Sequence, residues 1–136
     1  YLEETKGYAR KHGFTETMFG RRRQFAEMKS PLPYVRAQAE RTAINAPIQG
    51  TQADLIKLAM VRVDTMLQEE KAEKDAYLLL QIHDELVYEV KSDRLAELAP
   101  SIKDIMESVL SLEETNHVPV KTEAKTGPSW GEMTAL

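Results

Sequence analysis

The 136-residue sequence contains no cysteine, which excludes disulfides, thiolate zinc sites and cysteine nucleophiles together. Histidine is scarce, and two of the 3 residues, His12 and His117, stand in polar contexts without partners at ligand spacing. Both read as surface residues. No apolar stretch approaches a bilayer span, the three leucines at 78–80 falling far short of the ~20 residues needed. No Arg-rich start followed by an apolar run appears, so a signal peptide is not expected. The chain opens on Tyr1 rather than Met, which points to a piece of something longer. What remains, 42% hydrophobic and 29% charged, is an ordinary water-soluble composition, suited to one compact domain or a large part of one.

The formal net charge of −4 alone argues against a nucleic-acid binder, but its distribution does not. Residues 1–62 hold 11 Lys+Arg against 6 Asp+Glu, a balance of +5; residues 63–136 hold 7 against 16, a balance of −9. A basic first half can face a polyanion while an acidic second half faces water or metal ions. On charge alone, two solvated surfaces of different sign fit as well.

Residues 1–12 read as a helix with Leu2, Tyr8 and Ala9 on a buried stripe, and Gly13 as its left-handed stop. Phe14 to Phe19 alternates apolar and polar, Gly20 allows a turn, and Arg21 to Phe25 follows, together a β-hairpin with a basic edge. Ser30-Pro31-Leu32-Pro33 marks a loop. A helix is expected from about Tyr34 to Asn45, broken by Pro47 and Gly50. A second then runs from about Thr51 to Lys71, with Leu55, Leu58, Ala59, Arg62, Met66 and Leu67 near its buried face. Ala76–Ile82 and Glu85–Val90 read as strands joined by His83-Asp84 at a hairpin tip. Ser92 or Asp93 caps a helix through about Leu112, with Leu95, Leu98, Ile102, Ile105, Met106 and Val109 inward. A last strand is expected from Val118 to Lys125, and Trp130 is expected to close the core. Helices interleaved with hairpins point to an α+β fold, a layer of antiparallel sheet backed by helices.

Three segments carry possible chemistry. In Gln81-Ile82-His83-Asp84-Glu85-Leu86, two carboxylates on a tight turn concentrate negative charge, and hard cations such as Mg²⁺ seek such oxygen ligands. A plain solvated turn explains the same residues, since Asp favours turns. Arg21-Arg22-Arg23 offers planar, permanently charged forks suited to phosphate. On a strand they alternate in face, so at most two grip one ligand surface. A charged edge that resists aggregation is the other explanation. Arg41, Asn45 and Gln49 recur every four residues and stack on one helical face, where amides suit groove acceptors. Capping around the break at Pro47 fits equally.

In this order the three segments resemble the C-terminal end of a family A DNA polymerase, the bacterial DNA polymerase I type. The match is carried by Thr17-Met18-Phe19-Gly20-Arg21-Arg22-Arg23, by Ala39 through Asp54 with its Asn45-Ala46-Pro47-Ile48-Gln49-Gly50-Thr51 core, and by Leu80 through Val90. It covers essentially all 136 residues. The resemblance implies an antiparallel palm-type sheet with adjoining helices, residues 1–136 forming an incomplete polymerase domain without a second domain. Asp84 matches the Mg²⁺-binding carboxylate of the third polymerase motif, and Glu85 its supporting acidic neighbour. His83 and Gln49 match residues at the primer terminus or the minor groove beside it, Arg41 and Asn45 positions near the primer–template, and Arg21, Arg22 and Arg23 a basic segment near DNA. Partners implied are primer–template DNA and deoxynucleoside triphosphates in the intact parent, in the bacterial cytoplasm at the nucleoid, with no membrane.

Departures from the pattern matter too. The family's other metal-binding aspartate, in an Asp-Tyr-Ser context, has no counterpart in this chain, nor does the fingers helix that binds the triphosphate. Gly127-Pro128-Ser129-Trp130 replaces a more acidic or Asn-containing approach to the Trp. The isolated chain is therefore expected not to polymerise, to hold Mg²⁺ weakly if at all, and to self-associate through surface that the rest of a palm would cover. The rival readings are a non-catalytic DNA-binding module and an inactive structural remnant.

Overall fold

A computed structural model describes all 136 residues. Helices and short antiparallel hairpins alternate along the chain, which forms two units, residues 1–54 and 55–136.

In the first unit, α1 (Leu2–His12) carries Glu3 and Glu4 in its first turn and Arg10, Lys11 and His12 in its last. That order complements the helix dipole. Gly13 closes the helix at φ 77°, donating its N–H to the Ala9 carbonyl at 2.8 Å. Of the expected stripe only Ala9 is buried; Leu2 and Tyr8 remain exposed. The Tyr8 ring lies edge-on to Phe14 at 5.7 Å instead. The core here is built mostly of alanine, with Ala9, Ala39, Ala43 and Ala46 packed around Phe25 and Met28.

The strands β1 (Phe14–Glu16) and β2 (Arg22–Gln24) pair antiparallel, Thr15 opposite Arg23 and Glu16 opposite Arg22. The expected strand through Phe19 stops at Glu16 because the Thr17 hydroxyl accepts the N–H groups of Phe19 and Arg21, both at 3.2 Å. Gly20, at φ 77°, completes the turn.

α2 runs unbroken from Pro33 to Glu69, 37 residues, where two helices were expected. Pro47 removes one N–H donor, and the Tyr1 hydroxyl donates to the neighbouring Ile44 carbonyl at 3.0 Å. Gly50 is a packing glycine rather than a breaker: a Cβ there would lie 2.6 Å from Thr17 Cγ2.

In the second unit, Ala59, Val63 and Leu67 of α2 are buried four residues apart, together with Ala72, Ala76, Leu98 and Ile102. Arg62, expected on this face, is exposed, and Val63 takes its place. The Arg62 guanidinium instead donates to the carbonyls of Ser108 at 3.0 Å and Val109 at 3.1 Å. It caps α3 (Leu95–Glu107), which ends five residues before the expected Leu112.

β3 (Ala76–Ile82) and β4 (Glu85–Val90) pair antiparallel with an irregularity between Leu78 and Leu80. The ionic group Asp75, Lys91 and Arg94 closes the open end of this hairpin. Hydrogen bonding to Lys91, above all, holds the Asp75 carboxyl below the usual range. Tyr88 on β4 packs against the core, where burial and then the Asp64 charge push its phenol up to about 12.

The expected strand Val118–Lys125 is not formed. Only β5 (Lys125–Thr126) pairs, with β6 (Thr134–Ala135), and residues 118–124 have no partner strand. Two valines favour a strand, but Pro119 lacks a donor and a strand without a ladder leaves its backbone unpaired. Trp130 opens a 3₁₀ turn and is 56% exposed, so it does not close the core. The fold is thus α+β, with three two-stranded antiparallel sheets in place of one continuous layer. No helix is long and apolar enough to cross a membrane.

Candidate functional site

The hairpin register sorts the three arginines. Arg22 stands opposite Glu16, pairs with its carboxylate, and lies over the Phe14 ring at 4.4 Å. Arg21 Nε donates to Asp54 Oδ1 at 2.8 Å and its Nη2 to the Gly50 carbonyl at 3.0 Å, both acceptors on α2. Arg23 has no carboxylate partner; its guanidinium carbon lies 5.5 Å from the Phe25 ring centroid. Arg21, Arg23 and Gln49 line one cleft of about 220 Å³ with Thr15, Thr17 and Gly50. Arg22 is not part of it.

On α2, Arg41, Asn45 and Gln49 are all exposed, while Ala39, Ala43 and Ala46 are buried. The four-residue spacing therefore yields one outward polar row, as the helical period dictates. Arg41 Nη2 donates to Gln38 Oε1 at 2.5 Å. The exposed Asn45 and Gln49 amides carry donor and acceptor together and can meet an external hydrogen-bonding surface.

His83-Asp84 forms the two-residue tip of the β3–β4 hairpin, since Ile82 pairs with Glu85. His83 adopts φ 49°, a left-handed conformation rare for a residue with a Cβ but favoured at such a tip. The Gln81 side-chain amide donates to the His83 carbonyl at 2.7 Å and braces the turn. His83, Asp84 and Glu85 are all exposed. The carboxylate oxygens of Asp84 and Glu85 are of the hard type that suits Mg²⁺. The set is incomplete, because no three His, Asp or Glu side chains of the chain are grouped to hold a metal ion. Asp84 and Glu85 offer two carboxylates at adjacent positions, one on the tip and one at the start of β4.

Sequence reasoning missed the part played by Thr17, Gly50, Thr51 and Asp54 in seating the hairpin on α2. Met18 N–H donates to Thr51 Oγ1 at 3.1 Å, beside the Arg21 contacts. The signal was present in Gly50, which serves close approach rather than helix termination.

The outward amide row and the arginine-bearing hairpin thus belong to residues 1–54, and the hairpin tipped with carboxylates belongs to residues 55–136. The model of DNA polymerase family A matches residues 1–132. DNA polymerase I of Pseudomonas aeruginosa is 46% identical over 132 residues, 97% of this chain and 14% of that protein. The thermostable DNA polymerase I of Thermus thermophilus is 44% identical over 130 residues, 96% of this chain and 15% of that protein. Among solved structures, the POL domain of Pol1 from M. smegmatis, in complex with DNA primer-template and dNTP, superposes with a TM-score of 0.81. It is 40% identical and covers 89% of this chain and 20% of its own. The chain belongs to DNA polymerase family A. It spans about one seventh of the length of these curated relatives.

Proposed function

We propose that the chain is the C-terminal part of the polymerase domain of a DNA-directed DNA polymerase, one incomplete palm with its adjoining helices. The observation that carries this reading is family identity sustained over 97% of the chain, joined to a His83-Asp84 pair standing at a hairpin tip. The reaction is attack of a primer 3′-hydroxyl on the α-phosphate of a deoxynucleoside triphosphate, with pyrophosphate leaving. Bound Mg²⁺ supplies charge stabilisation to the attacking and leaving oxygens.

The chain's own residues bind and orient. Asp84 donates a carboxylate oxygen to the metal site, and Glu85 adds negative charge beside it. The outward row of Arg41, Asn45 and Gln49, with His83, receives the primer–template. Minor-groove acceptors occur on every base pair, so amides there test pairing geometry without selecting sequence. Contacts to phosphate position the duplex in the same sequence-independent way.

Such an enzyme acts in replication or repair, in the bacterial cytoplasm at the nucleoid. The isolated chain, with one wall of a metal site, does not extend primers, and its uncovered strand surface lets it self-associate. In the longer polymerase carrying this segment, Asp84→Ala is expected to lower primer extension by roughly a thousandfold, because metal-assisted charge stabilisation is worth several kcal/mol. Duplex affinity should stay near wild type. Extension retained by that variant rejects Asp84 as a metal ligand.

A further inference from the structure

We propose that the three consecutive arginines divide their work: Arg21 is a positioning residue that fastens the β1–β2 hairpin to the turn of α2 next to Gln49, and Arg23 alone of the three meets a phosphate of bound DNA. This inference rests on the DNA reading above and assigns roles within it.

Arg23 on β2 and Arg21 just before it line one cleft, while Arg22 lies on the other side of the strand. Arg22 is accounted for by Glu16 across the ladder. Arg21 is committed as well. Its donors reach the Asp54 carboxylate, whose side chain is only 12% exposed, and the Gly50 carbonyl. A guanidinium held by a shielded carboxylate has its charge balanced and two of its donors used.

The neighbouring contacts show what Arg21 fastens. The missing Cβ of Gly50 admits the Thr17 methyl, and Met18 N–H is held by the Thr51 hydroxyl. Gly50, Thr51 and Asp54 are thus three successive attachment points on α2, beginning one residue after Gln49. Losing the Arg21 contact would loosen the stretch of helix that presents the Gln49 amide.

Arg23 differs in each respect. No carboxylate pairs with it, the Phe25 ring flanks its guanidinium, and its fork of donors is left for an external acceptor. Directly across the ladder stands Thr15, 3% exposed, whose hydroxyl has no hydrogen-bond partner in the chain. Thr15, Arg23 and Gln49 line the same cleft. Arg23 therefore stands as an uncompensated cation beside the amide that the function reading places on DNA.

The test uses the longer polymerase carrying this segment and a primer–template duplex, with affinity measured over a series of KCl concentrations. A residue that neutralises one phosphate contributes about 0.9 to the slope of log affinity against log salt. Arg23→Gln is expected to reduce the slope by about that amount, and Arg21→Gln and Arg22→Gln to leave it unchanged. Arg21→Gln should weaken duplex binding non-additively with Gln49→Ala, since both act through one contact. If Arg21→Gln does not fold, Arg21→Lys, which keeps a donor for Asp54, carries the same cycle, while the exposed Arg23 site decides the phosphate assignment by itself. A slope reduced by Arg21→Gln or unchanged by Arg23→Gln overturns the assignment, and strict additivity with Gln49→Ala overturns the positioning role. A wild-type enzyme that does not bind the duplex rejects the function reading itself. Normal binding with the wrong arginine responsible rejects only this inference.

Discussion

Gly50 illustrates how much one side chain's absence can organise. Its position lets the Thr17 methyl rest against α2, and a Cβ would fall 2.6 Å from Thr17 Cγ2 and 3.3 Å from the Arg21 guanidinium. Gly50→Ala should therefore destabilise the protein by about 1–3 kcal/mol through overpacking, despite alanine's better helix propensity. A chemical-denaturation midpoint measures it; an unchanged or raised midpoint would show that the hairpin yields freely. The sequence marks Gly50 as special but does not say why. A glycine in a helix reads locally as a break, whereas its partner here lies 33 residues earlier. Arg62 posed the same problem in reverse. Its position favours the core face, yet its charge finds the free carbonyls after α3, 46 and 47 residues away.

At the scale of elements, the β3–β4 hairpin was legible to the residue, because strong strand formers flank a two-residue polar tip and little else competes. Single-helix continuity through Pro47 was not, since a proline reads locally as a break whereas Ala39, Ala43 and Ala46 beside it pack against the distant Ala9, Phe25 and Met28. The strand expected at 118–125 failed for a related reason: β-propensity is realised only against a partner. The inner side of β4 also sets a pH limit. The Tyr88 phenol, raised to about 12 by burial and then by Asp64, is favoured in its neutral form in the folded state. Its contribution is complete below the ordinary value of about 10 and is lost as pH rises towards 12. Thermal stability should fall over that interval, and Tyr88→Phe should flatten the fall in a melting series. An identical fall in the variant would exclude Tyr88 as its origin.

For the molecule as a whole, the site residues read from sequence fall into two groups with separate supports: an amide row and arginines in residues 1–54, and the carboxylate tip in residues 55–136. The grouping of Arg21, Arg23 and Gln49 on one cleft was not visible in the sequence, because strand register decides which arginine faces the helix. Tyr77, Leu78, Leu79 and Leu80 of β3 are all exposed, and β3 pairs only with β4. An apolar strand with an open edge recruits further strands. The isolated chain should therefore associate as its concentration rises in sedimentation experiments, and Leu79→Lys should hold it monomeric. A wild-type chain that stays monomeric throughout counts against this.

The left-handed backbone of His83 has one more consequence. Glycine would occupy φ 49° without the penalty that a Cβ brings there. His83→Gly should thus raise stability by about 0.5–1 kcal/mol, part of the relief being offset by glycine's greater freedom when unfolded. If the imidazole serves the primer terminus, the same change should slow extension by the longer polymerase. The tip would then be a point where durability was exchanged for activity. A search for heat-tolerant variants selected on folding alone would be drawn to position 83 and would return enzymes that survive better and copy worse.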